Sequence, residues 1–222
     1  MKIILICGTG RSGSTTLQRI INTIKDSDIT GEKGLVIENI LQSYRELIMN
    51  PHLNNNSNPG VSYVEKENCF KPCWFNNYNI DNVKDNYRKL ITSIISSSDK
   101  RVIGFKEIRW FGGDTGESIY KIKDGSLINV FLELFPETKI ILHIDDNLER
   151  QKNSGWFKNN PDSEKELQIL NERIIKFSEI NNCYLSYMKD LFNIDKQKEM
   201  FKFLEEDFNE ELYNYIIENK YE

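Results

Sequence analysis

No stretch of this 222-residue chain is apolar for long enough to cross a membrane. A spanning helix needs roughly 18 or more consecutive apolar residues, and the runs here stop after a few. A signal peptide is not evident either. Met1 and Lys2 lead into a very short apolar run and then straight into glycine and arginine, without the longer apolar core of a secretory leader. The expectation is a cytoplasmic protein. Positive charge is not in excess: 29 lysines and arginines stand against 34 aspartates and glutamates, a net charge of −5. That balance argues against broad nucleic-acid binding and leaves room for a local basic pocket holding a nucleotide. Cysteine is sparse. Cys7, Cys69, Cys73 and Cys183 make no disulfide framework, and the Cys69/Cys73 spacing lacks the second pair or nearby histidine of a zinc site. Free thiols in a reducing compartment are the plain reading. Asn55-Asn56-Ser57 fits a glycosylation acceptor, which means little without a secretory signal. The chain has no internal repeat, and its length suits one α/β domain over residues 1–222 with a sizeable core.

What is present is a loop. Ile3-Ile4-Leu5-Ile6-Cys7 reads as a buried strand, Gly8 to Thr16 follows as GTGRSGSTT, and Leu17, Ile20, Ile21 and Ile24 recur at helical spacing. Strand, glycine-rich turn and helix form the layout in which successive backbone N–H groups converge on an anion at a helix N-terminus. Gly8, Gly13 and Thr15 match the Walker A spacing, but Ser14 stands where its lysine belongs. A kinase or ATPase needs that lysine on the transferred phosphate. The one cation of this loop is Arg11, three residues upstream, followed by the hydroxyls of Ser12, Ser14, Thr15 and Thr16. A glycine-rich turn without a ligand is the alternative.

The rest of the chain alternates. A polar connection covers Lys25 to Gly34, and a helix carries Ile37, Ile40, Leu41, Tyr44, Leu47 and Ile48 up to Asn50-Pro51. Residues 51–62 are rich in asparagine and proline and read as an exposed loop. Tyr63, Phe70, Trp74, Phe75 and Tyr78 form either an acceptor wall or a loop packed on the core. Asp81 caps a helix through Ile95. Arg101 to Phe105 is a short strand ending in Lys106-Glu107-Ile108-Arg109-Trp110, and Gly112 to Gly116 is a loop. A helix through Leu127, Val130, Phe131 and Leu134 precedes the strand Lys139–Ile144. A polar helix start from Asp145 and a long amphipathic helix over roughly 163–181 come next. The strand Tyr184–Met188 and two short helices close the chain. This order predicts a mainly parallel sheet with helices on both faces.

Arg11-Ser12-Gly13-Ser14-Thr15 resembles the 5′-phosphosulfate loop of sulfotransferases that use 3′-phosphoadenosine 5′-phosphosulfate (PAPS), where Lys or Arg precedes Ser-Gly-Thr-Thr. The resemblance continues in order along the chain. Gly104-Phe-Lys-Glu-Ile-Arg109 is similar to a Gly-Phe-Lys-Glu-hydrophobic-Arg segment of one branch of that family. Phe135-Pro-Glu-Thr-Lys-Ile-Ile141 is similar to the opening of its 3′-phosphate strand, and Asn153-Ser-Gly-Trp-Phe157 to the Ser-Gly-Trp that closes the motif. Tyr187-Met-Lys-Asp-Leu191 followed by Met200-Phe-Lys-Phe-Leu204 looks like its Tyr-Glu-Asp-Leu segment and Phe-Leu helix. The resemblance implies a three-layer, P-loop NTPase-like sulfotransferase fold. It also implies sulfuryl transfer from PAPS, leaving 3′,5′-adenosine bisphosphate (PAP), to a hydroxyl or amine of a small molecule or glycan. Gly10, Arg11, Ser12, Gly13, Ser14, Thr15, Thr16, Arg150 and Ser154 would bind the donor, and no metal is expected. One position departs from the family: eight residues before Ser154, where an arginine is usual, stands Asp146. An aspartate repels a phosphate dianion; Arg150, one turn later, or a base from elsewhere would replace the arginine.

Sulfuryl transfer needs cations and N–H donors where charge builds, and a base for the acceptor proton. Arg11 and the backbone of residues 10–16 suit the first task, with Lys106 if it faces the loop. For the base, Glu107 and His143 compete, both near strand ends. Glu107 is favoured, its alternative being a structural ion pair with Arg109 or another basic residue; His143 reads more readily as a satisfied strand histidine, and His52 lies in the polar loop. Trp110 and Trp156 suit either stacking on a ligand or the core. A nucleotide kinase or NTPase with a degenerate loop, and a nucleotide-binding relative without catalysis, remain the competing classes.

Overall fold

The computed structural model describes residues 1–49, 80–96, 99–111 and 125–219. The 51–62 loop, the aromatic stretch 63–79, the Gly112–Gly116 loop, His52, Cys69 and Cys73 lie outside the described residues. The elements in chain order are β1 (Lys2–Gly8), α1 (Ser14–Ile21), β2 (Ser27–Thr30), α2 (Val36–Met49), α3 (Ile80–Ile95), β3 (Val102–Glu107) and α4 (Ser126–Leu134). Then follow β4 (Lys139–Ile144), α5 (Leu148–Lys152), α6 (Ser163–Ile180), β5 (Cys183–Tyr187), α7 (Ile194–Leu204) and α8 (Glu210–Glu218). Short 3₁₀ turns cover Gly155–Asn159 and Met188–Phe192. The chain falls into two compact units, Met1–Lys33 with Ile95–Glu222, and Gly34–Ile94.

The first unit holds a five-stranded sheet in the order β2-β3-β1-β4-β5, every pair parallel. Strand residues alternate between faces. Ile4 and Ile6 of β1 therefore join Leu17, Ile20 and Ile21 of α1, with Met200, Phe201 and Leu204 of α7 and Tyr213 of α8, in one core layer. The opposite face carries Phe105 of β3, whose ring lies 5.8 Å from both Trp110 and Phe131. Right-handed crossovers account for the two layers. The β1-to-β2 connection runs one way across the sheet, and those from β2 to β3, β3 to β4 and β4 to β5 run the other. Helices thus cover both faces, as the alternation of strands and helices predicts. Leu17, Ile20 and Ile21 are fully buried, each contributing about 1.5–3 kcal/mol, and they pin α1 so that the loop before it is anchored at both ends.

The second unit contains α2 and most of α3. Ile37, Leu41, Tyr44 and Ile91 are buried; the Tyr44 and Tyr87 rings lie 5.2 Å apart, and the Tyr87 hydroxyl is 2.7 Å from Ser43 Oγ. Because α3 already includes Ile80, Asp81 sits inside its first turn, where its charge favours the positive end of the helix.

One strand departs from the sequence expectation. The stretch Lys25–Gly34, read as a polar connection, contains β2. Its only large apolar residue is Ile29, which is buried. The side chain of Asn22 closes this edge: Oδ1 accepts from Ile29 N at 2.7 Å and Nδ2 donates to Ile29 O at 2.8 Å. A polar side chain thus takes over the pairing that an edge strand otherwise leaves open.

Gly104, in the strand beside β1, is fixed by packing. A Cβ there would lie 2.0 Å from the Ile4 carbonyl oxygen, whereas one at Gly31 meets nothing within 4 Å. Gly104→Ala should lower the unfolding free energy by about 1–3 kcal/mol in urea titration, with Gly31→Ala close to wild type.

Candidate functional site

The outgoing chains of β1 and β4 leave toward opposite edges of the sheet, so the carboxyl ends of these neighbouring strands form a topological switch point, where open α/β sheets bind ligands. Gly8 pairs with His143 there, and Thr9 N donates to His143 O at 3.3 Å. The chain then turns through Arg11 at φ 63° and Gly13 at φ 88° before α1 begins. Left-handed residues on either side of Ser12 fold the backbone into a concave nest. Gly13 needs to be glycine for its φ; a Cβ there would also push aside the flexible Met188 side chain, whose Sδ would lie 2.2 Å away. Arg11 has no such excuse: a non-glycine residue in this region costs about 1–3 kcal/mol and persists only where its surroundings impose it.

Those surroundings come mainly from β4 and α5. Gln151 Nε2 donates to Gly10 O at 2.6 Å and to Thr9 Oγ1 at 2.9 Å. An Arg150 terminal amine donates to Arg11 O at 3.2 Å and pairs with the buried Asp145 carboxylate. His143 Nε2 lies 2.9 Å from Ser12 O, and Nδ1 lies 3.0 Å from Ser186 Oγ. A carbonyl only accepts, so Nε2 carries the proton and Nδ1 accepts from the Ser186 hydroxyl. Burial pushes the imidazole down to about 4. His143 is therefore a neutral, doubly bonded strand histidine.

The structure gathers most of the sequence-derived candidates around this loop. Arg11 Nε donates to Ser154 Oγ at 2.9 Å, and Gly155, at φ 59°, lies against the Arg11 side chain. Lys106 does face the loop: Nζ donates to Thr15 Oγ1 at 3.2 Å and pairs with Glu32 at 2.8 Å. Thr15 is exposed and Thr16 half-buried, whereas Gly10, Ser12 and Ser14 are buried. The Ser12 hydroxyl donates to Thr9 O at 2.7 Å, which leaves this residue its N–H as the group to offer a ligand. Helix geometry leaves the first N–H groups of α1, beginning with Ser14 and Thr15, without an intrahelical partner.

Glu107 is placed differently. As the next residue along β3 it projects to the face opposite Lys106. Its Oε1 accepts from Ile108 N at 3.0 Å, Arg109 N at 3.2 Å and Arg109 Nε at 3.0 Å. Burial raises its carboxyl above the usual range, against the opposing pull of Arg109. Trp110 belongs to the ring cluster of the core, with 2% of its surface exposed; the Trp156 side chain lies outside the described atoms. Asp146 forms an ion pair with Lys189 at 2.5 Å. Among the described residues, no group of three or more His, Cys, Asp and Glu side chains is placed to hold a metal ion, and no helix is long and apolar enough to cross a membrane.

Sequence reasoning overlooked Glu32, Gln151 and Lys189. Glu32 follows a strand too polar to recognise, and Gln151 carries no motif. Lys189 lay within the quoted Tyr187–Leu191 segment, and the need to offset Asp146 was the signal for it. No protein-family model matches the chain, and a search of curated proteins finds no match.

The buried imidazole has a measurable consequence. Between pH 6.5 and about 4 the unfolded chain binds a proton at His143 that the folded chain refuses, so stability rises with pH across this window and is lost on acidification. From pH 7 to pH 5 the loss from this residue should be about 2 kcal/mol. Urea unfolding of wild type and His143→Gln at both pH values checks it; the variant should lack this component.

Proposed function

We propose that this chain is a PAPS-dependent sulfotransferase with a P-loop NTPase-like fold, transferring a sulfuryl group to a hydroxyl or amine of a small molecule or glycan. The observation that carries the reading is Arg11. It is a cation held in a strained conformation inside a glycine-rich nest, bonded to the neutral Ser154 hydroxyl and paired with no carboxylate among the described residues. Lys106 adds a second cation at Thr15 from the neighbouring strand, while the Walker lysine position is Ser14. Cations upstream of the helix and beside it, with backbone N–H groups between, suit a phosphosulfate whose bridging oxygen gains charge as the bond to sulfur breaks.

The donor fits the loop and asks more of the strand beside it. PAPS supplies an activated sulfuryl group. With that donor bound, the acceptor oxygen or nitrogen would bond to sulfur as the bridging S–O bond broke toward PAP, and the protein's part would be to take the acceptor proton. Arg11, Lys106 and the N–H groups from Gly10 to Thr16 would hold the phosphosulfate; Ser154 and Arg150 flank Arg11 on the β4 side. Asp146, the departure from the family pattern, is offset by Lys189, which removes much of the repulsion a 3′-phosphate would meet. For the base, geometry favours Glu32 over Glu107. Glu32 is partly exposed and sits beside Lys106 on the loop side, while Glu107 spends one carboxylate oxygen on three N–H donors across the sheet.

Calorimetric titration tests the reading. PAP should bind in preference to ADP and ATP, and independently of Mg²⁺. Arg11→Ala should weaken PAP binding by about tenfold or more; unchanged binding would sink the loop assignment, and preference for Mg-ATP would mean a kinase. Glu32→Gln should keep PAP binding and lose about 10²–10⁴-fold in turnover. Turnover near wild type would return the base to Glu107, to be probed as Glu107→Gln.

A further inference from the structure

Four consecutive carbonyls of the loop are each bound by a side-chain donor. Thr9 O takes the Ser12 hydroxyl, Gly10 O takes Gln151, Arg11 O takes Arg150 and Ser12 O takes His143. In a trans peptide the C=O and the following N–H point in opposite directions, and the described chain has no cis bond. Each bond therefore fixes an N–H as well. The N–H groups of Gly10, Arg11, Ser12 and Gly13 are thereby turned away from the side chains that hold the preceding carbonyls. A carbonyl that swung round would put its negative oxygen against an anion and withdraw a donor at the same time.

We propose that Gln151 and His143 are positioning residues for this anion site: they hold the Gly10 and Ser12 carbonyls outward, so that the loop is set for an oxyanion before one arrives. The inference rests on the loop binding an anion, as in the function proposed above, and is independent of which group is transferred. Gln151 is fully buried. Both of its contacts to the loop run through Nε2, while its Oε1 is buried with no partner among the described residues. Packing alone is served as well by an apolar side chain, which orphans no oxygen; what glutamine adds is the donor. His143 is likewise fully buried, with Ser186 behind it fixing the tautomer that puts the proton on the Ser12 side. Both residues come from one stretch, β4 and α5, on the side of the loop that faces the strained Arg11.

The test is calorimetric binding of PAP and of inorganic pyrophosphate to the full chain. Gln151→Met keeps the volume and removes the donor. It should unfold as cooperatively as wild type and lose about tenfold to a hundredfold in affinity for both probes. His143→Leu should do the same, and His143→Gln, whose amide nitrogen replaces Nε2, should recover most of the affinity. Should His143→Leu fail to fold, Ser186→Ala, which removes only the group orienting the imidazole, should still weaken binding by a few fold. Wild-type affinity in Gln151→Met and Ser186→Ala, with binding lost in Arg11→Ala, would overturn the frame and leave the loop assignment standing. No binding of either probe to wild type would overturn both.

Discussion

The parallel pairing of β1 with β4 is what the rest of this site depends on. Gly8 lies opposite His143, so the chain leaving β1 and the chain leaving β4 begin side by side. Everything that shapes the loop follows from that adjacency. His143 reaches Ser12 because it ends the neighbouring strand. Arg150 and Gln151 reach Arg11 and Gly10 because α5 starts four residues after β4. Ser154 meets Arg11 because the chain folds back through Gly155. A β1 strand next to some other partner would keep its glycine-rich sequence and lose the side chains that orient it.

The pairing is in turn imposed by burial. β1 is central and covered on both faces, which a run of Ile, Leu and Ile satisfies without alternation of polar residues. Its neighbours approach closely enough that the strand on one side requires glycine at position 104. The loop then draws on this rigidity. Arg11 is held against its backbone preference, and a strained residue survives where the surrounding structure over-determines it. Fully buried α1 residues on one side and buried donors on the other supply that constraint.

Much of this was legible in the sequence, for local reasons. The loop announces itself because its glycines, its cation and its helix lie within a dozen residues, and the parallel architecture follows from the alternation of apolar runs with helical periods. Lys106 facing the loop was a conditional expectation that the strand register meets. Other features lie beyond a one-dimensional reading. β2 has a single buried apolar residue and is closed by Asn22, a contact between elements that no period encodes. Lys106 and Glu107 are adjacent in sequence, and which of the two faces the loop depends on register, since neighbouring strand residues point to opposite faces. Glu32 gains its position only when β2 is placed beside β3. Gln151 belongs to no motif, and its part depends on a contact across 141 residues of chain.

The distribution of charge at this end of the sheet gives the arrangement its sense. Lys106 has Glu32, Arg150 has Asp145 and Lys189 has Asp146, so three cations near the loop arrive with carboxylate partners. Those pairs hold side chains in place and contribute little net field. Arg11 is different: its bond goes to a hydroxyl, and its charge is not cancelled by a carboxylate among the described residues. An anion entering the nest thus meets one uncompensated charge and a row of N–H groups whose direction is already fixed. Preorganisation of this kind is what makes dipoles effective, since no donor has to turn when the ligand's charge grows. The paired cations can respond in a second stage. Lys106 is shared between Thr15 and Glu32, so a ligand charge near Thr15 competes with Glu32 for the same ammonium. Glu32, the base in the function proposed above, would thereby be coupled through one lysine to occupation of the loop.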